Sequence, residues 1–187
     1  RIHLVPPAVP EPSFKESRRK TERVQICYAG KIAPQWGVLE LIVGVERMGL
    51  QDKVEIHIIG DKFHDGDVGG HSFRELISET IKNADFVTMH GGLSREDALG
   101  LVSSMDIAWA FREPTFEHLT MERSTKLLEY LSMGIPVILT RSALNEEIVG
   151  RNYPLLLDSK DDLGAVLQHI TQQGRVDIDS ADLSEMA

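Results

Sequence analysis

Short, almost uninterrupted apolar runs alternate along this chain with segments whose apolar residues recur at helical spacing. The continuous runs are typical of buried strands, and the 3.6-residue spacing predicts helices. Strands are predicted at 24–29, 54–59, 86–89, 107–110, 137–140 and 155–157. Helices are predicted at 37–48, 73–81, 125–133 and 161–170, with one more capped by Ser94 and stabilised by Asp97.

Strands that are apolar along their whole length favour a parallel sheet covered on both faces. The predicted fold is therefore α/β, a doubly wound, Rossmann-like parallel sheet of about six strands with helices on both faces. Ligands of such sheets bind where strands end and helices begin. The loops after residues 29, 59, 89, 110 and 140 are the places to look for a site.

The first 23 residues contain four prolines and then a polar run, which predicts a hinge or linker segment. A short strand is expected at its start, from Ile2 to Val5. One domain is predicted over 24–172, followed by a loose polar tail over 173–187. Because the chain begins at Arg1 rather than at methionine, we interpret it as a piece of a longer protein.

Composition narrows the class of protein. With 187 residues, 42% of them hydrophobic, the chain supports one core. The net charge of −9 argues against a nucleic-acid partner. A lone cysteine, Cys27, gives neither an internal disulfide nor a zinc spacing and is expected to be buried. No run is long enough to span a bilayer, so a cytoplasmic location is predicted, with membrane association through another domain or the acceptor left open.

The first strand ends in a glycine and a lysine that suit an anionic ligand. Lys31 can reach a diphosphate, and Gly30 lets backbone amides approach it. A turn with a solvated lysine is the alternative. Neither G-x-x-x-x-G-K-[ST] nor G-x-G-x-x-G occurs in the chain, which excludes the two commonest phosphate motifs.

Residues 122–138 contain the largest group of candidate ligand-binding residues. Ser124 and Thr125 can cap a helix whose free amides face an anion, and Lys126 adds a cation there. Glu129, one turn further, can accept two hydrogen bonds from a ribose diol. Otherwise Glu129 lies on a solvated face or pairs with Lys126 or Arg123.

Five stretches in order resemble the C-terminal, nucleotide-sugar-binding domain of the GT-B-fold retaining glycosyltransferases of family four, the glycosyl transferases group 1. These stretches are 26–31, 56–61, 87–110, 126–137 and 145–149. The resemblance implies one half of a GT-B fold, whose N-terminal acceptor domain would be covalently linked. It also implies metal-independent, retaining transfer of a hexose from a nucleotide diphosphate sugar, as in polysaccharide biosynthesis. The nucleotide sugar is a substrate, so no cofactor is expected, and the isolated chain is expected to be inactive.

The resemblance assigns roles residue by residue. Lys31 would hold the diphosphate and Glu129 the ribose, while the loop at His90 and Gly91 would border the base. Backbone amides of four residues would approach the phosphates: Ser124, Thr125, Lys126 and Leu127.

Two positions depart from the family pattern. The family's first carboxylate falls at Met121, so Glu122 is the substitute candidate for a catalytic role. Its second basic residue falls at Trp36. Asp65-Gly66-Asp67 matches the Asp-x-Asp metal motif of a different glycosyltransferase fold, but three residues often match by chance and no metal is predicted.

Two other functions stay open. The departures fit a nucleotide-binding or protein-interaction module that lost its chemistry, with Trp36 as a contact residue. A sugar-nucleotide epimerase of GT-B plan would need acid and base residues in the cleft. Among other polar residues, His57 is predicted to be structural, His118 to lie in a loop, and Arg112 to pair with Glu113. The sequence leaves the base, the sugar, the acceptor and the oligomeric state undetermined.

Overall fold

The computed structural model of the protein describes residues 21–64, 66–68, 70–120 and 122–173. Six strands form one sheet: β1 (Val24–Ala29), β2 (Val54–Ile59), β5 (Val87–Gly91), β6 (Ile107–Trp109), β7 (Val137–Thr140) and β8 (Leu156–Leu157). A small hairpin, β3 (Asp67–Val68) and β4 (His71–Ser72), stands apart from it.

Seven α-helices connect or flank these strands within the described residues. They are α1 (Val38–Arg47), α2 (Phe73–Asn83), α3 (Arg95–Ser103), α4 (Pro114–Leu119), α5 (Thr125–Ser132), α6 (Ala143–Val149) and α7 (Leu163–Gln173). Short 3-10 turns lie at Pro34–Trp36 and Lys160–Asp162.

The strand order of the sheet is β5-β2-β1-β6-β7-β8, and every pairing is parallel. The chain builds outward from β1 on one side and then crosses to β6 on the other, so the order reverses beside β1. This confirms the predicted doubly wound α/β fold. Ligands of such folds bind at the carboxyl ends of the strands next to that reversal.

The central strands are apolar because both of their faces are covered. Ile26, Cys27 and Tyr28 are at most 1% exposed. Burial raises the pKa of the Cys27 thiol to about 12, so the residue remains a protonated, inert part of the core, as predicted. The apolar face of α1 packs inward through Leu41 and Ile42, which confirms the helical pattern read from the sequence.

Several elements differ from the sequence prediction. No bounds were predicted for the helices α4 and α6, and His118 lies in α4 rather than in a loop. Strand β5 continues through His90 and Gly91, which were assigned to the loop that follows it. Met121, Asp65, nearly all of the linker and the tail beyond residue 173 lie outside the described residues, so those domain boundaries stay predictions. Within the described part of the chain, no helix has the length and apolarity that crossing a membrane requires.

Two buried tyrosines complete backbone hydrogen bonding that the strands leave open. The amide of Ala29, at the end of β1, donates to the Tyr130 hydroxyl on α5 at 3.0 Å. The amide of Val137, at the start of β7, donates to the Tyr153 hydroxyl at 2.7 Å. Tyr130 therefore fixes α5 against the end of β1, where the sheet's strand order reverses.

We expect Tyr130→Phe and Tyr153→Phe each to lower the free energy of unfolding by about 1–3 kcal/mol, because each leaves a buried amide without an acceptor. Urea denaturation followed by circular dichroism measures the loss. If either variant were as stable as the unaltered chain, water would satisfy the amide that the lost hydroxyl had satisfied.

Candidate functional site

An open groove of about 280 Å³ lies at the carboxyl ends of β1, β2 and β5. Its walls come from the three loops that follow these strands and from the start of α3. The lining residues are Ala29, Gly30, Lys31, Ile59, Gly60, Asp61, Lys62, Gly92, Leu93 and Ala98. Lys31 is exposed in this groove, so the predicted basic residue is at its rim.

The floor of the groove requires glycine. Gly60 has a φ of 142°, and a Cβ on it would clash with the carbonyl oxygen of Gly30. The Gly30 amide donates to the Ile59 carbonyl at 2.8 Å, so the two loops are in backbone contact. Only residues without a side chain let these strand ends approach so closely.

The ammonium of Lys126 lies next to this floor, at the first turn of α5. A Cβ on Gly30 would be 3.1 Å from Lys126 Nζ. The ammonium is 4.6 Å from the centre of the Tyr28 ring and 5.0 Å from that of Trp36, both within cation–π range. It donates a long hydrogen bond of 3.4 Å to the Tyr28 hydroxyl.

No carboxylate of the described residues forms an ion pair with Lys126. Burial lowers the pKa of Lys126 to about 8, and the positive charge of Arg112 contributes in the same direction. A partly buried cation that lacks an acidic partner is suited to receive an anion, because the ligand would supply the missing negative charge.

Tyr28 links Lys126 to the loop after β1. Its hydroxyl donates to the carbonyl oxygen of Lys31 while accepting from Lys126. Burial raises the pKa of Tyr28, so the hydroxyl keeps its proton and remains a donor. Tyr28 thus connects the Lys126 ammonium to the main chain of Lys31.

Trp36 occupies the middle of a cationic cluster rather than carrying a charge itself. Arg112 Cζ lies 5.3 Å from its ring centre, in addition to Lys126, and Phe116 packs edge-on at 5.3 Å. Its indole Nε1 is buried and has no hydrogen-bond partner among the described residues. The Trp36 ring therefore connects the cation of α5 to the cation that follows β6.

Arg112 is held by a buried carboxylate, Glu117. Their ion pair measures 3.3 Å, and Glu117 also accepts hydrogen bonds from Ser142 at 3.1 Å and Asn145 at 2.9 Å. The predicted pairing of Arg112 with Glu113 is wrong, because Glu113 instead accepts from the Thr115 amide and caps α4. Helix α4, whose bounds the sequence pattern did not predict, places Glu117 next to Arg112.

Glu129 pairs with an arginine from another helix. Arg95 Nη2 lies 2.6 Å from Glu129 Oε1. The ion pair connects the first residue of α3 to the second turn of α5. Neither of the two partners considered from the sequence is used. Lys126 contacts Tyr28, and Arg123 pairs with Glu147 at 3.1 Å.

The start of α5 is capped as predicted. Ser124 accepts a hydrogen bond from the Leu127 amide. The first-turn amides of Thr125 and Lys126 have no intrahelical acceptor, because no helical turn precedes them. Glu122, the tentative catalytic residue, is exposed just ahead of this helix.

His90 engages a neighbouring strand. Its Nε2 lies 2.9 Å from Nδ1 of His57, and His57 Nε2 lies 2.6 Å from Oε1 of Gln25. Since an amide oxygen only accepts, the ring proton of a neutral His57 is on Nε2. Nδ1 of His57 is then the acceptor, and His90 Nε2 donates to it. Burial lowers the pKa of His57, consistent with a neutral ring and with its predicted structural role. Gly91 lies beside the groove, where its carbonyl accepts from the Gly60 amide.

The structure thus gathers Gly30, Lys31 and Lys126 at the end of β1, with Ser124 and Glu129 on the adjoining helix. His90 contacts His57 through one ring nitrogen. Among the described residues, no group of three or more His, Cys, Asp or Glu side chains is placed to hold a metal ion. Part of the Asp65-Gly66-Asp67 motif lies outside those residues.

The profile of the family described as "Glycosyl transferases group 1" matches residues 23–173. The chain belongs to this glycosyltransferase family. A sequence search of curated proteins gave no significant match.

Three solved structures share the fold of this domain. HepE from Anabaena, in complex with UDP-glucose, has a TM-score of 0.64 at 14% identity over 88% of this chain and 43% of that one. The pneumococcal O-GlcNAc transferase GtfA, in complex with UDP and GlcNAc, has a TM-score of 0.60 at 14% identity, over 88% of this chain and 32% of that one. WaaG, a glycosyltransferase involved in lipopolysaccharide biosynthesis, has a TM-score of 0.60 at 15% identity, over 89% of this chain and 43% of that one. The chain spans less than half the length of each of these structures.

The buried network around Glu117 gives a stability prediction. Glu117→Ala leaves the Arg112 charge unpaired in a buried place, so we expect a loss of about 3–5 kcal/mol in the free energy of unfolding. The matched control is Glu147→Ala, which removes a carboxylate from an exposed pair and is expected to cost about 0–1 kcal/mol. Equal losses in the two variants, measured by urea denaturation, would contradict the role given to Glu117.

Proposed function

We propose that this chain is the donor-binding domain of a glycosyltransferase that transfers a sugar from a nucleotide diphosphate sugar to an acceptor. The observation that carries the proposal is the Lys126 ammonium, held beside Gly30 with no carboxylate of the described residues to neutralise it. Membership of the glycosyl transferases group 1 family supports the reaction class. Retention of anomeric configuration, independence of metal and a linked N-terminal acceptor domain are parts of this proposal.

In this mechanism the diphosphate lies between the end of β1 and the start of α5. As the bond from the sugar to the diphosphate breaks, negative charge grows on the leaving phosphate oxygens. Lys126, Lys31 and the first-turn amides of α5 offset that charge through groups that are already in place. Glu129 accepts hydrogen bonds from the ribose, and the loop after β5 borders the base.

A non-catalytic binding module remains the second hypothesis, and the structure offers it little support. Trp36 packs edge-on against Phe116 beside two cations, and its Nε1 is buried, so it is poorly placed as an exposed protein contact. A test of the whole protein for transfer or hydrolysis of a donor separates the two. A binding module would bind nucleotide without consuming it.

The binding test is isothermal titration calorimetry of the chain with UDP, GDP and UDP-glucose. Uridine nucleotides come first because two proteins of the same fold were solved with them. We expect weak binding of at least one nucleotide. Absence of heat with both UDP and GDP would contradict the proposal, because each carries the diphosphate that the site is proposed to hold.

Lys126→Met is expected to weaken nucleotide binding about 10- to 100-fold, because a charge-assisted hydrogen bond to the diphosphate is lost. The matched control is Lys53→Met, which removes an exposed lysine just before β2, at the amino-terminal ends of the strands and away from the groove. Comparable weakening in both variants would show that only net charge matters and would remove the role given to Lys126.

The lowered pKa of Lys126 predicts a pH dependence. The protonated ammonium attracts the diphosphate, so affinity for UDP-glucose is highest below the pKa of about 8 and falls as the pH rises through it. Between about pH 7 and pH 9 the protonated fraction of such a group falls about tenfold, and affinity follows it. The difference between the pH profiles of the unaltered chain and Lys126→Met isolates this group, since titration of the ligand is common to both. Parallel profiles would contradict the assignment.

A further inference from the structure

Arg95 and Glu129 join α3, which contributes Ala98 to the groove, to α5, whose Lys126 lies beside Gly30. Arg95 is the first residue of α3, directly after the Ser94 cap, and Glu129 lies on the second turn of α5. The 2.6 Å contact joins Arg95 Nη2 to a single carboxylate oxygen, Oε1. The ion pair therefore connects the start of α3 to the helix that carries the predicted ribose ligand.

The two side chains are unequally exposed. Glu129 is 20% exposed and Arg95 63% exposed. A carboxylate so enclosed has limited freedom to turn, and the planar guanidinium fixes the oxygen that it contacts. Within the described residues, no hydrogen-bond donor contacts the other oxygen, Oε2.

The other basic side chains beside α5 are engaged elsewhere. Arg123 pairs with Glu147 at 3.1 Å, and Lys126 contacts the Tyr28 ring at 4.6 Å. Among the described residues Arg95 is thus the basic partner of Glu129, although 34 positions separate them in the chain.

We infer that Arg95 is a positioning residue for nucleotide recognition: it holds Oε1 of Glu129 so that Oε2 faces a ribose hydroxyl. This inference rests on the proposed function, because it assigns the ribose to Glu129. Arg95 itself contacts the carboxylate and not the sugar. Its effect on binding is therefore transmitted through the ribose hydroxyls alone.

The test compares two ligands that differ only in those hydroxyls. Calorimetry is performed on the unaltered chain and on Arg95→Ala, with whichever of UDP and GDP binds more tightly and with its 2′,3′-dideoxy analogue. We expect Arg95→Ala to weaken binding of the ribonucleotide about five- to tenfold and to leave binding of the dideoxy analogue unchanged. A general disturbance of the fold would weaken both ligands.

The matched control is Arg151→Ala. Arg151 is 87% exposed and pairs with Glu146 at 3.6 Å, after the end of α6, so its loss changes the net charge equally without touching Glu129. We expect it to leave both affinities unchanged. In a Glu129→Gln background, Arg95→Ala is expected to have no further effect on the ribonucleotide, because the carboxylate that it positions has been removed.

The outcomes separate this inference from the proposed function. If the unaltered chain binds neither UDP nor GDP, the proposed function fails and the role of Arg95 fails with it. If the ribonucleotide binds but Arg95→Ala has no effect, weakens both ligands equally or tightens binding, only the inference about Arg95 is overturned. Tighter binding would mean that Arg95 blocks Glu129 instead of presenting it.

Discussion

The Lys126 ammonium, held at the end of β1 without an acidic partner among the described residues, is the charge on which the rest of the site depends. Two aromatic rings flank it at 4.6 and 5.0 Å and replace part of the water that burial removes. Its positive charge stays uncompensated by the described carboxylates. The strand ends, the glycine floor and the start of α5 are arranged around that charge.

The surrounding fold explains how such a cation is held in place. Tyr130 ties α5 to the end of β1 through the Ala29 amide. On the other side of Trp36, Arg112 is fixed by the buried carboxylate of Glu117. Glu117 satisfies one positive charge, which leaves the second, on Lys126, available to a ligand. Trp36, at the position where the resemblance predicts a basic residue, carries no charge, and the ammonium beside its ring comes from α5.

The sheet could be predicted from the sequence because its strands are buried on both faces and read as continuous apolar runs. The Ser94 and Ser124 caps could also be predicted, because each depends only on residues close together in the chain. The bounds of helices α4 and α6 escaped because the two helices are only six and seven residues long, too short to show a clear helical repeat. Pro114 at a first helical position and Ser142 ahead of α6 were the available signals.

The partners of the site residues could not be predicted in the same way. Arg95 reaches Glu129 from 34 positions away, and His90 reaches His57 from 33. Such pairings arise from the packing of helices and strands, which periodicity does not encode. The burial of Glu117 is a similar case, because a carboxylate in a polar stretch is ordinarily exposed.

The most direct test of this account is nuclear magnetic resonance of the Lys126 side-chain nitrogen, titrated with pH in the free chain and in the presence of saturating nucleotide diphosphate. The account predicts a pKa of about 8 in the free chain and a higher pKa when the diphosphate is bound, because the ligand stabilises the protonated ammonium. A pKa that is the same with and without bound nucleotide would contradict it.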